Sequence, residues 1–321
     1  MPRVSRTAKP LKKGAIALGS TLIFGLNWGV VVPEANAQTE APLESPVIPL
    51  APHEDSNFFD QQDPSDPELG ILRLEELNIV PTTVAKPPVV YLITQASYLQ
   101  SDNILLSARD PINDGLFRVS ASVLAVPPLS DRTSVFASIG GSLARYSELT
   151  FFDYNQFLVN AGIRQRFLSE TYAVLGWSHQ QLFTKRGSNR FLDEHSLYGE
   201  INRRDYLSSQ VIFDSFVQTR ISFAQPAERS QFLNTAGVSF GYAPSSQFQA
   251  FLDYQFLYSE FTQQNRQDLY HQLTGRLVYR PSQNLRLEMF AGQSFGSSSF
   301  ESIDFNGFVF GINLGVNVPL F

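Results

Sequence analysis

Gln247–Tyr258 reads QFQAFLDYQFLY, and its two faces differ in kind. Phe248, Ala250, Leu252, Tyr254, Phe256 and Tyr258 fall on one side of an extended strand. Gln247, Gln249, Asp253 and Gln255, with Phe251 among them, fall on the other. Side chains alternate faces with period two in a strand, and no 3.6-residue pattern competes here. A soluble sandwich would turn the apolar side inward. A membrane-spanning barrel turns it outward to lipid and faces a lumen with its amides and carboxylates.

The same pattern recurs down the chain. Phe117, Val119, Ala121, Val123 and Ala125 oppose Arg118, Ser120 and Ser122. Phe157, Val159, Ala161 and Ile163 oppose Gln156, Asn160 and Arg164. Leu269, Leu273, Leu277 and Tyr279 oppose Gln272, Thr274 and Arg276, and Leu285, Leu287 and Met289 oppose Arg286 and Glu288. Charges inside a dry β core cost several kcal/mol each unless paired, whereas facing a wet lumen they cost little. The spacing predicts twelve strands between residues 89 and 321, among them 194–203 and 206–218, separated by a tight turn at Arg203–Asp205. Longer connections, near 100–115, 184–193 and 219–229 for example, alternate with tight ones, as between the outer loops and inner turns of a membrane barrel. The expected fold is all-β: a closed up-and-down antiparallel transmembrane β-barrel of about 12 strands.

Residues 1–37 read as a signal peptide, with Arg3, Arg6, Lys9, Lys12 and Lys13 before the apolar run Gly14–Val32 and Ala35-Asn36-Ala37 at the cleavage site. Removing these five basic residues and Glu34 takes the formal charge from −6 to −10. Residues 38–88 carry nine prolines and ten acidic residues against Arg73 and Lys86, the composition of a disordered periplasmic linker. Asp66-Pro67-Glu68 is nevertheless a sound helix start, so a short helix over 67–78 is the alternative there. The barrel occupies 89–321. No run of about 20 apolar residues lies beyond the N-terminus, so no spanning helix is expected. Mean hydropathy is only −0.10, as it must be when a polar lumen face cancels a lipid face. With no cysteine, strand hydrogen bonding rather than disulfides holds the exported chain. The acidic balance gives no reason to expect nucleic acid as a partner.

From Val89 onward the chain resembles the bacterial outer-membrane β-barrel proteins, and its style is similar to those of cyanobacteria. The resemblance rests on the alternating strands and on the terminal Phe321, although Leu314, Val316, Val318 and Leu320 run one residue out of phase with it. It implies a cell outer-membrane location with both termini periplasmic. It also implies contact with outer-membrane lipid and lipopolysaccharide, and delivery by the outer-membrane assembly machinery, which reads the terminal phenylalanine.

Neither a P-loop, a dinucleotide fingerprint nor a metal-ligand spacing is present, so no cofactor and no metal are expected. The loop acids Asp110, Asp114, Glu148 and Asp153 read as solvated. His179 and His195 sit near a loop, and His271 lies on the lipid face, where a lipid hydrolase would place its base. A turn centred on Ser282 would set His271 opposite Gln293 and near Phe256, with no serine in reach, so an enzyme is not expected. The same turn would pair Tyr279 with Leu285 and set Arg276 opposite Glu288, either as a wall brace or as part of a charged constriction. The predicted lumen-lining residues are Arg118, Arg164, Glu200, Asp214, Gln249, Asp253, Gln272, Arg276, Arg286 and Glu288. Small inward residues (Gly162, Gly237, Gly241, Gly292, Gly311 and Gly315) should leave bore beside them. The function expected is a narrow, porin-like channel for small hydrophilic solutes. The alternatives are a structural or assembly protein with a closed lumen and, after that, a lipid-modifying enzyme.

Overall fold

The computed structural model describes residues 89–186 and 189–320, together with two short paired segments at Asp60–Gln61 and Leu74–Glu75. The signal peptide, the rest of the 38–88 linker and Phe321 lie outside the described residues; of the helix expected over 67–78 only Leu74–Glu75 is described, and it is strand, paired with Asp60–Gln61. Twelve long strands form the barrel. They are β1 (Val90–Ser101), β2 (Asp114–Ala125), β3 (Thr133–Tyr146), β4 (Tyr154–Leu168), β5 (Thr171–Thr184) and β6 (Arg190–Tyr206). The second half comprises β7 (Val211–Gln225), β8 (Gln231–Tyr242), β9 (Phe248–Phe261), β10 (Gln267–Ser282), β11 (Leu285–Ser298) and β12 (Gly307–Pro319). Each pairs antiparallel with its sequence neighbours, and β12 pairs back onto β1 from Val309↔Ser101 to Pro319↔Tyr91. The ring therefore closes, and no long strand is left with an unpaired edge. A three-residue strand, Pro128–Ser130, is added against β3 in the turn after β2.

An even strand number puts the start of β1 and the end of β12 at one rim, here called the turn rim. The connections 102–113, 147–153, 185–189, 226–230, 262–266 and 299–306 lie at the other, the loop rim. Long and short connections alternate less strictly than the sequence predicts, since 185–189, 226–230 and 262–266 are no longer than the opposite turn 243–247. The reason is that β6 and β7 run further than expected. β6 continues through Arg203–Asp205 to Tyr206, and its turn falls at 207–210. The Arg-Arg-Asp run imitates a turn, but its charges are paired within the sheet. Arg204 makes a two-pronged contact with Asp214 of β7 (2.7 and 3.0 Å), and Arg203 holds Asp205 on the other face at 2.6 Å. Likewise Thr219, Ile221 and Phe223 extend the outward face of β7 into the segment expected to be loop.

The apolar face points out. Leu175, Ile201, Val217 and Leu252 are each more than half exposed, while Glu288 is 0% exposed. Such a surface around a polar interior suits lipid as solvent.

The register between β10 and β11 departs from the symmetrical turn. Tyr279 pairs with Leu287, not Leu285, because the turn falls at 283–284 and the ladder shifts by one residue between Tyr279 and Ser282. Pro281 has no N–H to donate, and a bulge accommodates it. The shift of two residues preserves every face but changes every partner. Arg276 lies opposite Phe290, Glu288 opposite Val278, and His271 opposite Phe295 rather than Gln293.

Candidate functional site

All ten residues predicted to line the lumen lie on the inner face. Arg118, Arg164, Glu200, Asp214, Gln272, Arg276, Arg286 and Glu288 are buried, and Gln249 and Asp253 are half-buried. They form networks rather than a row of solvated heads. Arg276 binds Asp253 through two nitrogens at 2.5 and 3.1 Å, reaches Glu288 at 3.5 Å, and stacks 4.7 Å from the ring centroid of Phe251. Arg286 donates to the same Glu288 oxygen. The expected Arg276–Glu288 contact thus survives the register shift as a diagonal one, because a guanidinium on its long stem spans the offset. Asp253, which the hairpin turn could not reveal as a partner, is the nearer carboxylate.

On the opposite wall Arg118 donates to Ser142 (3.0 Å) and to Gln156. Gln156 in turn donates to Gln180 at 2.9 Å. Glu200 accepts from Gln218 at 2.5 Å and from Asn202. Arg280 donates to Gln249 at 2.8 Å. Arg164 lies 4.1 Å from the Tyr172 ring centroid, and Arg220 lies 5.3 Å from that of Tyr198. Every cation on the described inner wall is an arginine, the side chain that can both fork onto a carboxylate and stack on a ring.

Gly162, Gly237, Gly241 and Gly311 do not leave bore, whereas Gly292 faces Thr274 and Gly315 stands open with only Gln95 Cγ at 3.8 Å. Aromatic rings from neighbouring strands occupy the space above the first four and above Gly176: Phe136 over Gly162, Tyr198 over Gly176, Phe216 over Gly237, Phe251 over Gly241 and Phe290 over Gly311. The sequence signal was present, since each ring faces inward from a strand next to its glycine, but it needed the register to be read. The lumen is accordingly narrower than its strand number implies.

Apolar clusters bracket the polar belt. Toward the turn rim, Tyr91, Leu124, Val126, Phe136, Tyr172, Val174 and Tyr198 pack together. At the loop rim the first long connection folds into the mouth. Its Ile104 joins Leu99, Leu116, Tyr146 and Tyr154, while its Leu106 packs with Leu233, Leu257, Tyr270, Ile303 and Phe305. Asn103 ties this loop to the last one, donating to the carbonyls of Ser107 and Asp304, both at 3.3 Å, and accepting from Ser107 N–H at 2.9 Å. Leu106 has a φ of 49°, a left-handed conformation unusual for leucine, held there by the surrounding packing.

Two of the loop acids are structural, not solvated. Asp114 is buried and accepts from the backbone N–H groups of Gly115, Glu148 and Leu149. Asp153 accepts from Tyr146 N–H at 2.8 Å and holds Lys185 at 2.6 Å. His271 is surrounded on the wall by Tyr254 (Oη to Nδ1, 2.8 Å), Phe256 and Phe295, an aromatic setting with no serine in it. His179 and His195, by contrast, are cross-strand partners.

The decisive geometry is the closed twelve-strand ring, polar within and apolar without. The chain has the fold of a bacterial outer-membrane β-barrel. An outer membrane channel from Pseudomonas putida F1 superposes with a TM-score of 0.52 at 10% identity, over 74% of this chain and 100% of that one. The β domain of a Bordetella autotransporter gives 0.46 at 11% identity, over 73% and 99%. A porin, KdgM, gives 0.41 at 10%, over 69% and 98%. At such identities the likeness is one of fold. No protein-family model matches this sequence, and no curated protein matches it.

Proposed function

We propose that this barrel is a narrow channel for small hydrophilic solutes in the cell outer membrane, with both termini periplasmic. The observation that carries the reading is a set of inward polar atoms that meet no protein partner among the described residues. They are both amide atoms of Gln255, Thr235 Oγ1, Ser239 Oγ, and the Oδ1 atoms of Asn313 and Asn317. All six are shut off from water in this structure, which costs about 1–3 kcal/mol each, so admitting water to the lumen is favoured at these positions. A water-bearing interior lined by arginines and carboxylates is a path for ions and small polar molecules. In this reading the outer wall meets outer-membrane lipid and lipopolysaccharide, and the assembly machinery binds at Phe321. Kinship with cyanobacterial barrels rests on sequence style alone.

A second reading, a structural barrel with a closed lumen, is favoured by the apolar cluster that Ile104 and Leu106 make across the loop-rim mouth. Purified protein in planar lipid bilayers separates the two. Discrete conductance steps are expected. A folded protein that never conducts over a range of voltages would leave the structural reading standing.

A further inference from the structure

On the outer wall, just below the 185–189 connection, three side chains with metal-binding chemistry converge. Asp193 and His195 stand two residues apart on β6 and share its outward face. His179 on β5 is directly opposite His195 in the ladder. Residues at i and i+2 on one strand, with a third opposite, present three ligands to one point above a sheet. The two imidazole rings stack with centroids 4.1 Å apart and planes 8° from parallel. Asp193 Oδ1 lies 2.8 Å from His179 Nε2 and 4.0 Å from His195 Nε2. One ligand atom from each of the three residues falls within 4.8 Å of the others. Ligand bonds of about 2.0–2.2 Å around a tetrahedral ion require ligand atoms about 3.3 Å apart. The observed 2.8 and 4.0 Å straddle that value.

We propose that His179, Asp193 and His195 form a binding site for a divalent transition-metal ion of the zinc class. The two oxygens of Asp193 are already assigned different partners. Oδ2 is held by Arg190 at 2.5 Å and by Gln181 at 3.3 Å, so Oδ1 is left facing the two histidines. Outer partners of this kind orient a ligating carboxylate. Two imidazoles and one carboxylate select zinc, nickel, copper or cobalt over calcium and magnesium, which take oxygen ligands. The ring of Trp177 stacks on His195, 5.9 Å away, on the side toward the middle of the wall. His195 is 52% exposed, so the remaining coordination positions open away from the barrel. The site sits where the wall passes from Leu175, Leu197 and Ile201 to Arg190 and Asp193, within reach of ions in water.

The test uses the full chain without a polyhistidine tag, folded in detergent and titrated with Co2+. The wild type should bind one ion per barrel, give the intense visible absorption of a four-coordinate cobalt centre, and release the ion to Zn2+. His195→Ala and Asp193→Asn should each weaken binding about tenfold or more. His271→Ala removes another wall histidine and should change nothing. Circular dichroism confirms that each variant is folded, with His195→Gln taken in place of His195→Ala should the latter misfold. Binding that survives the His195 and Asp193 substitutions overturns the site, as does folded wild type that binds no cobalt.

Discussion

Arg276 shows how one side chain is committed in this wall. It is enclosed by Asp253, Glu288 and the ring of Phe251, and its own side chain is 1% exposed against 0% for Glu288. A pair open to water would contribute about 1 kcal/mol or less. At this burial, removing the cation takes the two-pronged partner from Asp253 and leaves Glu288 to Arg286, and Arg276→Ala should cost roughly 3 kcal/mol of stability in urea unfolding from detergent or lipid. Arg286→Ala should cost less, because Arg276 still reaches Glu288. Equal, small losses for both would mean the network is solvated in the membrane.

At the scale of elements, adjacent strands lock through ring and glycine. A methyl group added at Gly237 would stand 2.1 Å from Phe216 Cε1, and one at Gly296 would stand 2.1 Å from the carbonyl oxygen of Leu269. A methyl at Gly199 meets nothing within 4 Å. Gly296→Ala, whose clash is with backbone, should therefore destabilise by about 1–3 kcal/mol, and Gly199→Ala should be neutral or slightly stabilising in the same unfolding assay. The loop in the mouth is a second element with a measurable role. Asn103 supplies its main ties, so Asn103→Ala should loosen 102–113 and raise the open probability in single-channel records. Unchanged gating with intact folding would show that this loop is a fixed lining.

Across the whole molecule, charge is sorted by face. The inner strand faces carry eight arginines (118, 164, 166, 204, 220, 276, 280 and 286) against seven carboxylates (114, 194, 200, 214, 253, 268 and 288). The expected selectivity is a weak preference for anions, read as a reversal potential under a salt gradient. Replacing Arg276 and Arg286 together with alanine should shift that potential toward cations and raise conductance. A potential that does not move would assign these arginines to bracing the wall alone.

The alternation in QFQAFLDYQFLY and its repeats determined that the chain makes the strands of a barrel and which side chains face its interior. That information is local, because a period of two fixes the faces of a strand whatever it pairs with. Arg118, Arg276 and Glu288 could be placed inside on this basis alone. Partners across strands were another matter. The turn at 283–284 and the one-residue bulge at Arg280–Pro281 together set the register two residues from the symmetrical one without turning a wall side chain over, so periodicity carries no trace of it. Paired charges at Arg203–Asp205 likewise hid a strand continuation behind the composition of a turn. Only the closed ring decided that rings fill the space over Gly162, Gly237, Gly241 and Gly311, that Ile104 and Leu106 fold into the mouth, and that His179 meets Asp193 and His195. Each of those contacts joins residues on different strands or loops, and its geometry is set by register and loop path rather than by either sequence segment.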